Sequence, residues 1–109
     1  MAENKSVLEL NDENFNETIS KGVTLVDFYA EWCGPCRMIA PTIGNLATKL
    51  GNTAKVGKVD VDAAQDTTQK YGVMSIPTLI VFKDGTEVKR FVGVKDEATL
   101  ENTIKSFLA

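Results

Sequence analysis

Residues 23–30 read VTLVDFYA, an almost unbroken apolar stretch. A strand with one wet face alternates apolar and polar residues, and this one does not. Such a run reads as a strand covered on both faces at the centre of a sheet. A chain built around it must supply packing elements on both sides of that sheet. The rest of the sequence has the pieces. Val7–Leu10 is a short strand, and Asn11 or Asp12 is expected to cap a helix to about Ser20, with Phe15 and Ile19 on one face and Gly22 ending it. From near Cys33 to Leu50 the pattern is helical, with Met38, Ile39, Ile43, Leu46, Ala47 and Leu50 as its apolar stripe. Pro41 inside it removes one helical hydrogen bond, so a kink is expected there rather than two helices.

Ala54–Val61 reads as a second buried strand, Ala63–Tyr71 as a short helix and Pro77–Phe82 as a further strand. Asp84-Gly85 is a two-residue hairpin signal leading to a returning strand, Glu87–Val92. Asp96 caps a last helix to about Leu108, with Leu100, Ile104 and Phe107 facing inward. The order is βαβαβαββα, an α/β fold: a central mixed five-stranded sheet flanked by four helices on both faces. Strands separated by helices are expected to pair in parallel, and the closing hairpin must be antiparallel.

The 109 residues fit a single domain, 1–109, long enough to bury a core without a staple. The net charge of -3 lacks the basic footprint of a nucleic-acid binder, and no apolar run approaches the roughly 20 residues of a membrane span. MAENKSVLEL has no apolar centre and does not read as a secretory signal. A reducing, cytoplasmic setting is the expectation, and there a CxxC pair more often means redox or metal chemistry than structure.

The two cysteines lie together in EWCGPCR, residues 31–37. A structural disulfide closing so short a loop would contribute roughly 2 kcal/mol, against roughly 3 for a fifteen-residue loop. A zinc site would need more ligands, and the chain has no histidine and no further cysteine, so no metal is expected. A redox pair uses every residue of the motif. Cys33 falls where a central strand gives way to a helix, and the unpaired N–H groups and dipole there favour a thiolate. That dipole is worth up to roughly 2 kcal/mol in partly buried geometry, about one and a half pKa units. Cys36 lies one helical turn on, within reach of Cys33 but expected to point inward and be less accessible. Gly34 lets a partner backbone approach, and Pro35 suits a first helical turn.

WCGPC, placed after an apolar strand carrying Asp27 and before a helix containing Pro41, closely resembles the thioredoxin family. The likeness runs along essentially the whole chain, through Lys58 in VGKVDVD, Ile76-Pro77-Thr78 in YGVMSIPTLIVFKDG and Gly93 in FVGV. It implies the thioredoxin fold and a general protein-disulfide reductase. Cys33 would attack a target disulfide, and Cys36 would resolve the mixed disulfide. A thioredoxin reductase would recharge the oxidised form, with NADPH as the distant electron source and no cofactor on the chain itself. The partners implied are that reductase and disulfide-containing proteins, met by a monomer without nucleic acid or membrane. Asp27 interrupts an apolar strand. If buried it resists ionising and can accept the Cys36 proton; if turned outward at a strand end it is an ordinary aspartate. Lys58 either pairs with Asp27 or is a solvated surface lysine. The resemblance also implies a cis bond before Pro77, facing the cysteines, and an apolar docking patch of Trp32, Gly34, Pro35, Ile76, Pro77, Val92 and Gly93 around Cys33. Trp32 is expected to be partly buried. Two positions depart from the family pattern: Tyr29 stands where a tryptophan is frequent, and Met74 where many members carry a basic residue. An oxidant or isomerase of the same fold is a second reading, but Gly-Pro between the cysteines resembles the reducing members, whereas oxidants and isomerases usually have a histidine there. A third is a binding subunit that uses the patch without redox turnover; replacing both cysteines by serine would separate it from a reductase.

Overall fold

The computed structural model describes residues 6–108. The elements run β1 (Leu8–Leu10), α1 (Phe15–Ile19), β2 (Val23–Tyr29), α2 (Gly34–Leu50), β3 (Lys55–Asp60), α3 (Gln65–Lys70), β4 (Thr78–Lys83), β5 (Thr86–Val92) and α4 (Glu97–Ser106). They form one five-stranded sheet of order β1-β3-β2-β4-β5, with the apolar run as its middle strand. β1 and β2 pair with β3 in parallel. β4 corrects the expectation that helix-separated strands pair in parallel: it follows α3 yet runs antiparallel to β2. α3 has six residues and advances roughly 9 Å, while a six-residue strand spans roughly 20 Å. The helix is too short to carry the chain back to where β3 began, so β4 enters the sheet from the end at which β3 left it. Among the described residues no helix is long and apolar enough to cross a membrane.

Alternation along β2 serves two cores. Val23 and Leu25 face one side, where Ile39, Ile43, Leu46 and Leu50 of α2 and Leu100 and Ile104 of α4 pack. Val26 and Phe28 face the other, against Phe15 and Ile19 of α1 and the α3 region. There Phe15 meets Phe82 edge to face at 5.6 Å between ring centres, and Tyr71 meets Phe82 at 5.2 Å. Each such side chain, fully buried, contributes about 1.5–3 kcal/mol. Phe107 is only partly buried against the first core.

Some local expectations give way to longer-range contacts. α1 begins at Phe15, later than a cap at Asn11 or Asp12 would start it. The Asn11 side chain accepts from the amides of Glu13 and Asn14, closing a turn before the helix. Asp12 caps a different helix: its Oδ1 accepts from Thr67 N (2.9 Å) and Thr67 Oγ1 (2.7 Å) in the first turn of α3. Met38 is not part of the buried stripe of α2 but 73% exposed, one position off the face that meets the sheet. Pro41 lies inside α2 without dividing it. At the hairpin Asp84 (φ 49°) and Gly85 (φ 86°) both take the left-handed backbone that a tight two-residue turn demands.

Gly57 of β3 is needed for space. A Cβ there would sit 2.7 Å from Leu10 Cδ1 and 3.3 Å from the Leu8 carbonyl oxygen. Gly57→Ala should cost about 1–3 kcal/mol by overpacking, read as a lower denaturant midpoint. The cost should be much smaller in a Leu10→Ala background, and an equal cost in both would refute the clash.

Candidate active site

Three strand ends meet at one edge of the sheet. β2 ends at Tyr29 and leads to the cysteines, β4 begins just after Pro77, and β5 ends at Val92. Thr78 pairs with both Phe28 and Val92, which fixes this convergence. It depends on the antiparallel course of β4; a parallel β4 would carry Pro77 to the opposite end.

Cys33 is the residue before the first turn of α2, with extended backbone (φ -87°, ψ 115°) and Pro35 inside that turn. Its N–H donates to the Ala30 carbonyl (3.2 Å), and its own carbonyl accepts from Arg37 N (3.2 Å). The Cys36 amide donates to Cys33 Sγ at 3.2 Å, so a helix-terminal N–H that would otherwise lack a partner is aimed at this sulfur. The two cysteines form a disulfide, with Cα atoms 5.3 Å apart. Across from them the Ile76–Pro77 bond is cis. The Ile76 carbonyl oxygen lies 3.9 Å from Cys33 Sγ, and the Pro77 carbonyl accepts from Gly93 N at 2.8 Å.

The expected contrast between an accessible Cys33 and a hidden Cys36 does not appear in this disulfide form: they are 5% and 4% exposed. Both are packed with Ala30, and Ile76 packs against the pair. The open surface lies around them. Gly34, Pro35 and Val92 are exposed, Ile76 and Gly93 are half-buried, and Pro77 is buried. Trp32, expected to be partly buried, is 68% exposed, so only the smaller part of it is covered. Its indole N–H donates to Asp62 Oδ2 at 2.8 Å, which holds the ring over the rim rather than in a core. Asp62 was not among the residues singled out from the sequence. It stands just past β3, whose end lies beside that of β2; only the parallel pairing gives that position its meaning.

Asp27 has the parity of Leu25 and therefore lies on the sheet face covered by α2. It is 4% exposed, and its Oδ1 has no hydrogen-bond partner among the described residues. Burial pushes the carboxyl up to about 7, against a smaller opposing pull from Lys58. Lys58 is the register partner of Asp27, but its ion pair is with Glu9, at 3.1 Å between Nζ and Oε1. The ammonium also lies 5.5 Å from the centre of the Tyr29 ring. Lys58 is thus not simply solvated: its direct ion pair is with Glu9 rather than Asp27, while it tempers the raised Asp27 carboxyl through space, as the first expectation had it.

The family described as Thioredoxin matches residues 6–106. The chain is 46% identical to a thioredoxin of Bacillus subtilis over 103 residues, covering 94% of this chain and 99% of that protein. It is 50% identical to a thioredoxin of Chlamydia pneumoniae over 95 residues, covering 87% and 92%. A solved mutant thioredoxin from Halobacterium salinarum superposes with a TM-score of 0.88 at 38% identity, covering 100% of this chain and 96% of that one.

The buried carboxyl has a consequence for stability. Its folded pKa of about 7 stands above the ordinary 3.8, so the folded state holds a proton that the unfolded chain releases. Protonated Asp27 leaves stability intact below about pH 4; as pH rises towards about 7 stability falls, by up to about 4 kcal/mol, and then levels. Asp27→Asn should remove this slope, so that wild type and variant agree near pH 4 and the variant is more stable at about pH 8. Urea midpoints across that range would measure it, and parallel curves would contradict a buried, proton-holding Asp27.

Proposed function

The chain belongs to the thioredoxin family, and from that premise we propose how its redox pair divides the work. The protein is a protein-disulfide oxidoreductase that acts by dithiol–disulfide exchange through Cys33 and Cys36. The observation that carries the division of labour is the Cys36 amide aimed at Cys33 Sγ from the start of a 17-residue helix. A thiolate on Cys33 gains that hydrogen bond and sits ahead of the first turn, at the favourable end of the helix dipole; Cys36, inside the turn, is the donor of that bond rather than its acceptor.

In the reduced protein the Cys33 thiolate attacks one sulfur of a target disulfide. A Cys33–target bond forms, the target S–S bond breaks, and the departing sulfur leaves as a thiolate that takes up a proton. Asp27, below α2 and poised near neutrality, accepts the proton of Cys36. The Cys36 thiolate then attacks Cys33 Sγ, the intramolecular disulfide closes, and the target leaves with both its sulfurs reduced. Two electrons pass from the Cys33–Cys36 dithiol to the target.

The substrate is a polypeptide disulfide presented in extended form. Ile76 next to Pro77 offers its backbone beside Cys33, and Trp32, Gly34, Pro35, Val92 and Gly93 form the surrounding rim. Backbone pairing of this kind needs little target sequence. A thioredoxin reductase returns the electrons, drawing on NADPH, while the chain itself holds no cofactor and acts as a cytoplasmic monomer.

Insulin reduction coupled to thioredoxin reductase and NADPH tests the scheme. Cys33→Ser should abolish turnover, and Cys36→Ser should accumulate a mixed disulfide with the target. Asp27→Ala should slow resolution of that intermediate by roughly tenfold or more at neutral pH, while first attack changes little. Undiminished resolution in Asp27→Ala would remove Asp27 from the proton path, and trapping through Cys36 instead of Cys33 would reverse the assignment.

A further inference from the structure

Glu9, Lys58 and Asp27 lie in one transverse row. Glu9 of β1 is in register with Lys58 of β3, and Lys58 with Asp27 of β2. A single ammonium therefore stands between two carboxyl groups, one near the solvent and one buried. It pairs with the outer one, Glu9 Oε1 at 3.1 Å, and that ion pair is what draws it to the β1 side, since the Tyr29 ring 5.5 Å away belongs to the same strand as Asp27. The inner carboxyl is left with Oδ1 unpartnered. We propose that Glu9 is a positioning residue: by holding Lys58 it keeps the ammonium from closing on Asp27 and so sets the pH at which Asp27 becomes a base. The inference rests on the reading above that Asp27 takes the Cys36 proton.

The surroundings of Asp27 offer few other handles. Its register partner on β4 is Leu79, and α2 packs over this face with Ile39 and Ile43, while Cys36 is bound in the disulfide. On β2 itself the nearest titratable group on the same face is Tyr29, whose hydroxyl is pushed above its usual range by burial and by Glu9, Asp60 and Glu31, and stays neutral. Arg37 of α2 is exposed, and its guanidinium donates to the Glu31 carbonyl. Lys58 is the cation that acts on Asp27, and Glu9 is the group that holds Lys58.

Removing the Glu9 charge releases Lys58 toward Asp27, which favours the Asp27 carboxylate, so the carboxyl should ionise at lower pH. In the full-length protein carrying Glu9→Gln, carbon-13 NMR of the Asp27 carboxyl, assigned with Asp27→Asn, should titrate lower by roughly half to one unit. The acid limb of the mixed-disulfide resolution rate should move down by the same amount. Glu9→Asp should retain most of the wild-type profile. In a Lys58→Met background Glu9→Gln should shift little, since the ammonium through which it acts is gone. No change in the Asp27 titration on Glu9→Gln overturns the proposal, as does an equal shift with and without Lys58. If the titration moves but the resolution profile does not, Asp27 is not the proton acceptor, while the hold of Glu9 on Lys58 stands.

Discussion

The double-sided burial of β2 is the constraint on which the rest of the structure depends. Val23 and Leu25 need one covering layer and Val26 and Phe28 another, so helices must lie on both faces of the sheet. The same strand delivers its own C-terminal end to the start of α2, where the cysteines sit. It also carries Asp27 into a layer from which water is excluded. A carboxyl there costs stability once ionised, and that cost is what lifts it to about 7, the range in which it can exchange a proton under neutral conditions.

The second requirement is direction. The cysteines lie past the end of β2, and Pro77 lies before the start of β4. These come together because β4 runs against β2, a consequence of the short α3. The disulfide and the surface around it are thus assembled from strand ends far apart in sequence, and Gly93 joins them through its hydrogen bond to Pro77. Trp32 extends the rim outward, tethered by Asp62 past the end of β3.

The third is the distribution of charge across the parallel half of the sheet. Lys58 is shared between a solvated and a buried carboxyl and goes to the solvated one. A charge-assisted pair at the rim avoids desolvating the ammonium, whereas a pair at Asp27 would draw it inward. The buried group meets Lys58 only through space, and burial keeps its carboxyl raised against that pull.

What the sequence determined by itself were the features decided by near neighbours. The apolar run predicts the central strand, WCGPC the start of α2 with Cys33 ahead of its first turn, Asp84-Gly85 the hairpin, and the switching period the element order. These rest on backbone preferences and on spacing along a single element. Only the tertiary structure decided that β4 turns antiparallel, that Asp12 caps α3 rather than α1, that Met38 faces solvent, that the two cysteines are about equally covered, and that Lys58 pairs with Glu9. In each case the deciding partner comes from another part of the chain, and local pattern holds no record of which elements will be adjacent or in what register. Asp27 spans both kinds: its place in an apolar run is local, but whether it would be buried depended on α2 closing over that face.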